Sequence, residues 1–214
     1  MYQYVFFDLD GTLTDSAKGI LNAVEYALGK YGIVENNAET LNAFIGPPLH
    51  DSFVKYYGFD DKKADEAVAI YREYFSVKGL FENDVYGGVE EMLTKLKERG
   101  KKLVIATSKP EVFTFRILKH FDLEKYFDFI AGATLDISRA KKADVIAYAL
   151  EKVNPEDKAK VIMVGDREHD VLGAKANGID CIGVLYGYGD EEELTKSGAK
   201  SIVKTPLELL EVIK

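Results

Sequence analysis

The chain has 214 residues, 47% of them hydrophobic, which suits one globular domain with an insertion or two small domains around an apolar core. Lysine and arginine number 28 against 36 acidic residues, and a net charge of −8 argues against broad binding to nucleic acid or to an anionic membrane. The single cysteine, Cys181, excludes an intrachain disulfide. It sits in an apolar run and reads as a packed strand residue rather than a nucleophile. No apolar run is long enough to span a bilayer, and no basic segment precedes an apolar stretch at the start, so a cytoplasmic protein is the expectation.

In chain order, residues 2–7 are aromatic and β-branched and read as a buried strand. That strand runs into Asp8 and Asp10. Being two apart, they fall on the same side of an extended chain, and Gly11 then permits a sharp turn. Ala17, Ile20, Leu21, Val24, Ala27, Leu28 and Tyr31 recur at helical spacing, with Gly32 as a stop. Short helices are expected over 37–44 and 49–56, separated by the Gly46-Pro47-Pro48 break. A longer helix fits 61–77, with Ala64, Ala67, Val68, Tyr71, Tyr74 and Phe75 on one face. Residues 16–82 therefore read as helices without a strand.

The character changes after Asn83. Val89, Met92, Leu93 and Leu96 mark a helix that Gly100 ends. Strands are expected over 102–107, 127–131, 160–164, 181–184 and 201–203. Helices are expected over 111–120, 142–153, 170–177 and 207–213. Strands alternating with helices imply a parallel sheet covered on both faces, with its site at the carboxyl ends of the strands.

Four stretches at such ends carry chemistry. The pair Asp8/Asp10 could hold Mg2+, attack phosphorus or shuttle a proton, since burying carboxylates is costly without a partner. Thr107-Ser108-Lys109-Pro110 offers hydroxyls and backbone N–H groups for phosphate oxygens. Its plainer reading is a Ser/Thr helix cap before a proline. Lys141-Lys142 opens a helix and could neutralise acids and phosphate. The plainer reading there is a solvated pair, and spacing favours Lys142 over Lys141. Gly165-Asp166-Arg167-Glu168-His169-Asp170 places two acids four residues apart. On a helix they share a face and converge on one ion; otherwise they are a charged helix start. His169 is expected to be exposed.

Asp8-x-Asp10-Gly11-Thr12 at the end of an apolar strand, followed in order by the other three stretches, resembles the haloacid dehalogenase-like (HAD) superfamily, whose members are mostly phosphatases. The resemblance covers essentially the whole chain. It implies an α/β fold: a Rossmann-like, doubly wound parallel sheet, residues 1–15 and 83–214, with an inserted all-helical cap, residues 16–82. It further implies that Asp8 is the nucleophile forming an aspartyl-phosphate and that Asp10 is the general acid and base. Thr107, Ser108 and Lys142 would bind phosphate. Asp8, Asp10 (through its backbone carbonyl), Asp166 and Asp170 would hold Mg2+. Many relatives have Lys-Pro where this chain has Lys141-Lys142, and the missing proline leaves the choice of lysine open.

Within the superfamily the chain looks most like phosphoglycolate phosphatase-type members acting on a small phosphorylated metabolite. Residues 45–49 resemble the cap loop that faces substrate, which makes Gly46, Pro47 and His50 candidate contacts. Nucleotide phosphatases of the 5'-nucleotidase kind and sugar-phosphate mutases share the pattern. A dehalogenase would leave Asp10 no leaving oxygen to protonate. A phosphoacceptor signalling domain also combines acids, a Ser/Thr, a lysine and Mg2+, but needs neither Asp10 nor the helical block. Oligomeric state is not legible.

Overall fold

The computed structural model describes residues 1–136 and 138–214. The strands are β1 (Tyr4–Phe7), β2 (Thr14–Asp15), β3 (Asp84–Val85), β4 (Lys102–Pro110), β5 (Phe129–Ala133), β6 (Val161–Gly165), β7 (Asp180–Val184) and β8 (Ser201–Val203). The chain folds as two compact units, Met1–Asp15 with Val85–Lys214 and the inserted Ser16–Asp84.

The inserted unit is helical: α1 (Ala17–Lys30), α2 (Ala38–Asn42), α3 (Leu49–Tyr57) and α4 (Asp61–Tyr74). Helix α1 buries Ile20, Ala23, Val24, Ala27 and Leu28, the stripe that its spacing predicts. Asn37 caps α2 by accepting from the backbone of Glu39, and Gly58 ends α3 in the left-handed conformation that a residue without Cβ adopts freely. Phe44, Phe53 and Phe59 pack as an aromatic core of this unit, Phe44 edge-on to Phe53 at 5.0 Å. The helix expected over 61–77 does not run through. It widens into a π turn over Phe75–Gly79, and there Gly79 meets Gly19 so closely that neither has room for a Cβ.

The other unit is a parallel sheet in the order β5-β4-β1-β6-β7-β8. Strand β1 is central, and its Val5, Phe6 and Phe7 are wholly buried, which explains an unbroken apolar run where a one-sided strand would alternate. The remaining helices are α5 (Val89–Glu98), α6 (Glu111–His120), α7 (Lys142–Val153), α8 (Glu168–Ala176), α9 (Glu191–Ser197) and α10 (Leu209–Val212). Phe6, Val104, Met163 and Cys181 pack with Val145, Ile146 and Ala149 of α7, Val171 and Ala174 of α8, and Leu194 of α9. By strand alternation Val5, Phe7, Leu103 and Ile105 serve the opposite face. The sheet is a doubly wound Rossmann-like α/β layer. Its strand order reverses beside β1, from β4 and β5 on one side to β6 and β7 on the other, and that crevice is where such sheets hold ligands.

Strands β4 and β5 differ from the expected bounds for reasons visible in their bonding. Strand β4 continues through Thr107-Ser108-Lys109 to Pro110, because Pro110 pairs with Ala133 after an irregular stretch. Three residues lie between Ala106 and Pro110 where β5 has one between Ala131 and Ala133. Strand β5 starts at Phe129, two residues late, because Asp128 is spent fastening the strand's entrance. Its carboxylate accepts from the Leu103 backbone at 2.8 Å and from Lys97 at 2.9 Å. Among the described residues no helix is long and apolar enough to cross a membrane.

Candidate active site

Asp8 leaves β1 with its backbone N–H still bonded to Val164, 3.0 Å away. The chain then folds back at once. The carbonyl of Leu9 accepts from the backbone of Thr12, Leu13 and Thr14. Gly11 sits at φ +81°, and a Cβ there would run into the Asp166 carboxylate. Gly187 is equally hemmed in against Asp166, and Gly165 against Asp170. Glycine is needed at these points because two carboxylates fill the space a side chain would take.

The carboxylates of Asp8, Asp166 and Asp170, all buried, come within 4.8 Å of one another. Asp166 follows β6. Its Oδ1 accepts from the Thr12 hydroxyl at 3.2 Å and its Oδ2 from the Tyr188 backbone at 2.9 Å. Asp170 lies in the first turn of α8, where its Oδ2 accepts from the Arg167 backbone at 3.1 Å. Asp166 and Asp170 thus do not share a helix face, contrary to the expectation from their spacing. Asp166 lies outside α8, which starts at Glu168, and the two meet because the capping bond of Asp170 folds the helix start back over the strand end.

Lys142, the first residue of α7, is 93% buried and inserts between these acids. Its Nζ lies 2.7 Å from Asp8 Oδ1, 2.8 Å from Asp170 Oδ1 and 3.2 Å from the Ala106 carbonyl. Lys141 is exposed and stands outside the cluster. Burial disfavours the Lys142 charge, but Asp170 and Asp8 hold its pKa above the ordinary lysine value. Burial pushes the Asp8 carboxyl up to about 6, against the opposing pull of Lys142. Burial, with the fields of Asp170 and Asp8, raises Asp166 well above the usual range. The Thr107 hydroxyl hydrogen-bonds Asp8 and also accepts from the Lys109 backbone at 3.2 Å. The backbone N–H of Lys109 is thus already engaged and is not a free phosphate donor. Ser108 is half-buried beside it.

Asp10 does not join the carboxylate cluster. Its Oδ2 pairs with Lys109 Nζ at 2.7 Å, and its buried Oδ1 has no hydrogen-bond partner among the described residues. No role for the Lys109 side chain is legible in the sequence, because a lone lysine before a proline looks like any surface lysine. Thr12 is part of the leading motif without a role of its own there and Tyr188 does not stand out, because each reaches Asp166 from a loop. His169 is exposed and Cys181 is buried in β7, as expected. Gly46, Pro47 and His50 belong to the helical unit. There the His50 ring lies 3.3 Å from Asp51 and 3.8 Å from both Asp61 and Asp65.

The cluster suits a hard divalent cation. Its donors are all oxygens, and three buried carboxylates face one ammonium. Asp8 Oδ1 and Asp170 Oδ1 are buried without a well-aligned hydrogen bond, although Lys142 stands close to both. Oxygen-only, carboxylate-rich donors are the set that hard divalent cations such as Mg2+, Mn2+ and Ca2+ share.

Residues 5–184 match the model of the haloacid dehalogenase-like hydrolases. The chain is 47% identical to a 5'-nucleotidase of Pseudomonas aeruginosa over 90% of its own length and 87% of that protein. It is 42% identical to the tyrosine-protein kinase PtkA of Mycobacterium tuberculosis over 91% of this chain and 66% of that one. It is 29% identical to a phosphoglycolate phosphatase of Colwellia psychrerythraea over 99% and 97%. The crystal structure of a predicted phosphatase from Clostridium acetobutylicum, 51% identical, superposes with a TM-score of 0.94 over 100% of this chain and 98% of that one.

Proposed function

The chain belongs to the haloacid dehalogenase-like hydrolase family and is a phosphatase, and from that premise we propose that it hydrolyses small phosphomonoesters through an aspartyl-phosphate on Asp8, with Mg2+ as cofactor. The observation that carries this reading is the division of the two leading aspartates. Asp8 lies in a buried carboxylate cluster neutralised by Lys142, while Asp10 stands apart on Lys109. Two carboxylates in different surroundings can take different roles.

Asp8, Asp166 and the backbone carbonyl of Asp10 would hold the cation, with Asp170 supporting them. When bound, the ion supplies charge neutralisation that lets a carboxylate approach a phosphate dianion. The chain's own groups do the rest. Asp8 Oδ attacks phosphorus and the ester oxygen leaves. Asp10 gives that oxygen a proton, then takes one from the water that hydrolyses the aspartyl-phosphate, which frees inorganic phosphate and Asp8. Lys142, held between Asp8 and Asp170, balances the charge gathered as the phosphoryl group passes. Thr107 orients Asp8 through its hydroxyl.

The higher identity to a 5'-nucleotidase than to a phosphoglycolate phosphatase favours nucleoside 5'-monophosphates as substrates over phosphoglycolate. A panel of nucleoside monophosphates, phosphoglycolate and sugar phosphates, assayed with Mg2+ and with EDTA, tests the reading. The expected result is Mg2+-dependent phosphate release, with the highest kcat/KM for a nucleoside monophosphate. A preference for phosphoglycolate would overturn the substrate class, and release from no ester would overturn the hydrolase reading. Incubation with ATP, followed by a mass search for phosphotyrosine, covers the activity named for PtkA; none is expected.

A further inference from the structure

Each of the two leading aspartates has a buried lysine of its own, and the proposed reaction uses only one of them. Lys142 serves Asp8. Lys109 lies 2.7 Å from Asp10 Oδ2, with side-chain exposures of 5% for the lysine and 19% for the aspartate. The extra residues of β4 between Ala106 and Pro110 bring this lysine out of regular strand register. A regular strand would keep strict alternation with β5, so the irregularity sets where residue 109 stands.

We infer that Lys109 is a positioning residue for Asp10, fixing the orientation of its carboxylate for proton transfer to the leaving group and from the hydrolytic water. The inference rests on the acid–base role proposed for Asp10. The Asp10 side chain, in the turn that the Leu9 carbonyl closes with Thr12, Leu13 and Thr14, is short but free to rotate, and an ion pair to one oxygen fixes its orientation. With Oδ2 held by Lys109, the buried Oδ1 is the oxygen left without a protein partner among the described residues. A proton donor must be in place when the ester bond breaks, and small misplacements are costly: about a hundredfold for 1 Å. A lysine that merely bound substrate phosphate would act on binding and would be indifferent to the leaving group.

The test compares Lys109→Met, Asp10→Asn and the double variant on an alkyl phosphate and on an aryl phosphate with a good leaving group, with Mg2+ present. Lys109→Met is expected to lower kcat/KM on the alkyl ester on the order of ten- to a hundredfold, and far less on the aryl ester, which needs little protonation. In the Asp10→Asn background the same substitution is expected to cost nothing further, since groups acting as a unit are not additive. Equal losses on both esters, or losses that persist in the Asp10→Asn background, would overturn the inference and make Lys109 a substrate-binding residue. If Lys109→Met does not fold, Lys109→Arg takes its place, and any loss it causes must likewise vanish beside Asp10→Asn. Should Asp10→Asn itself show no leaving-group dependence, the acid role of Asp10 fails. Should Asp10→Asn show that dependence and Lys109→Met not, the lysine inference alone fails.

Discussion

Lys142 and Lys141 are neighbours in sequence and opposites in energetics. Lys142 is the buried counter-charge of Asp8 and Asp170, so Lys142→Ala strands two carboxylates in the interior. Breaking such a buried arrangement costs about 3–5 kcal/mol, and turnover should nearly vanish with it. Lys141→Ala removes an exposed charge and should stay within about 0.5 kcal/mol and close to full activity. Steady-state kinetics and urea denaturation of the pair check this, and the reverse ranking would contradict it. The state of Asp8 adds a pH dependence. Burial holds its carboxyl at about 6, and a cation binds only the ionised form. Mg2+ affinity should therefore weaken as the pH falls through 6, by up to about tenfold from pH 6 to pH 5 through Asp8. Calorimetric titration at each pH reads this, and unchanged affinity at pH 5 would contradict it. Asp8, Asp10 and Asp166 stood out in the sequence because a buried strand has no other reason to end in carboxylates, and Asp170 stood out by its four-residue spacing from Asp166. The contacts of Lys109, Thr12 and Tyr188 were not legible, because they depend on which distant side chain each one touches.

At the scale of elements, the site depends on where backbone and carboxylate compete for space. Gly11 combines φ +81° with a Cβ position inside the Asp166 carboxylate, so Gly11→Ala must strain the turn and move a proposed metal ligand. Left-handed backbone alone costs an L-residue about 1–2 kcal/mol, so the total loss should exceed that and activity should fall with it. Gly29→Ala is the control. Gly29 lies in α1 with nothing near its Cβ position, and alanine there should add about 0.5–1 kcal/mol of stability. Thermal melts and kcat of both variants decide; an innocuous Gly11→Ala would contradict the packing described. Periodicity gave α1, α7 and the central strands well, since their apolar faces are continuous. It failed where local bonds outweigh pattern. Helix α9 was missed because its three successive glutamates hide its few buried residues, although Asp190 caps it and its Glu193 takes Arg167 at 2.8 Å, steadying the loop after Asp166. The register of β4 past Ala106 is set by Pro110 against Ala133, a pairing no local spacing reveals.

At the scale of the molecule, one α/β unit carries every group of the proposed chemistry, and the helical unit inserted after Asp15 carries Gly46, Pro47 and His50. If that unit acts as a cap that selects substrate, His50→Ala should change the ranking among natural phosphate esters more than the rate on a small aryl phosphate. Proportional losses on every substrate would contradict a selecting role. The two-part organisation was legible because residues 16–82 carry helical periodicity without a strand, whereas strands and helices alternate after Asn83. The leaving group was not legible, since the chemistry at phosphorus constrains the sheet and leaves the inserted helices free to vary. The central claim is the covalent role of Asp8, and intact-mass spectrometry after rapid quenching tests it most directly. Acid–base assistance is worth about a hundred- to ten-thousand-fold, and an activated aryl or acyl phosphate needs little of it in the first step but all of it in the second. Asp10→Asn given such a substrate with Mg2+ should therefore accumulate one hydroxylamine-sensitive phosphoryl group on the protein, while Asp8→Asn should carry none. Equal labelling of both variants, or phosphate on Thr107 or Ser108, would contradict the account.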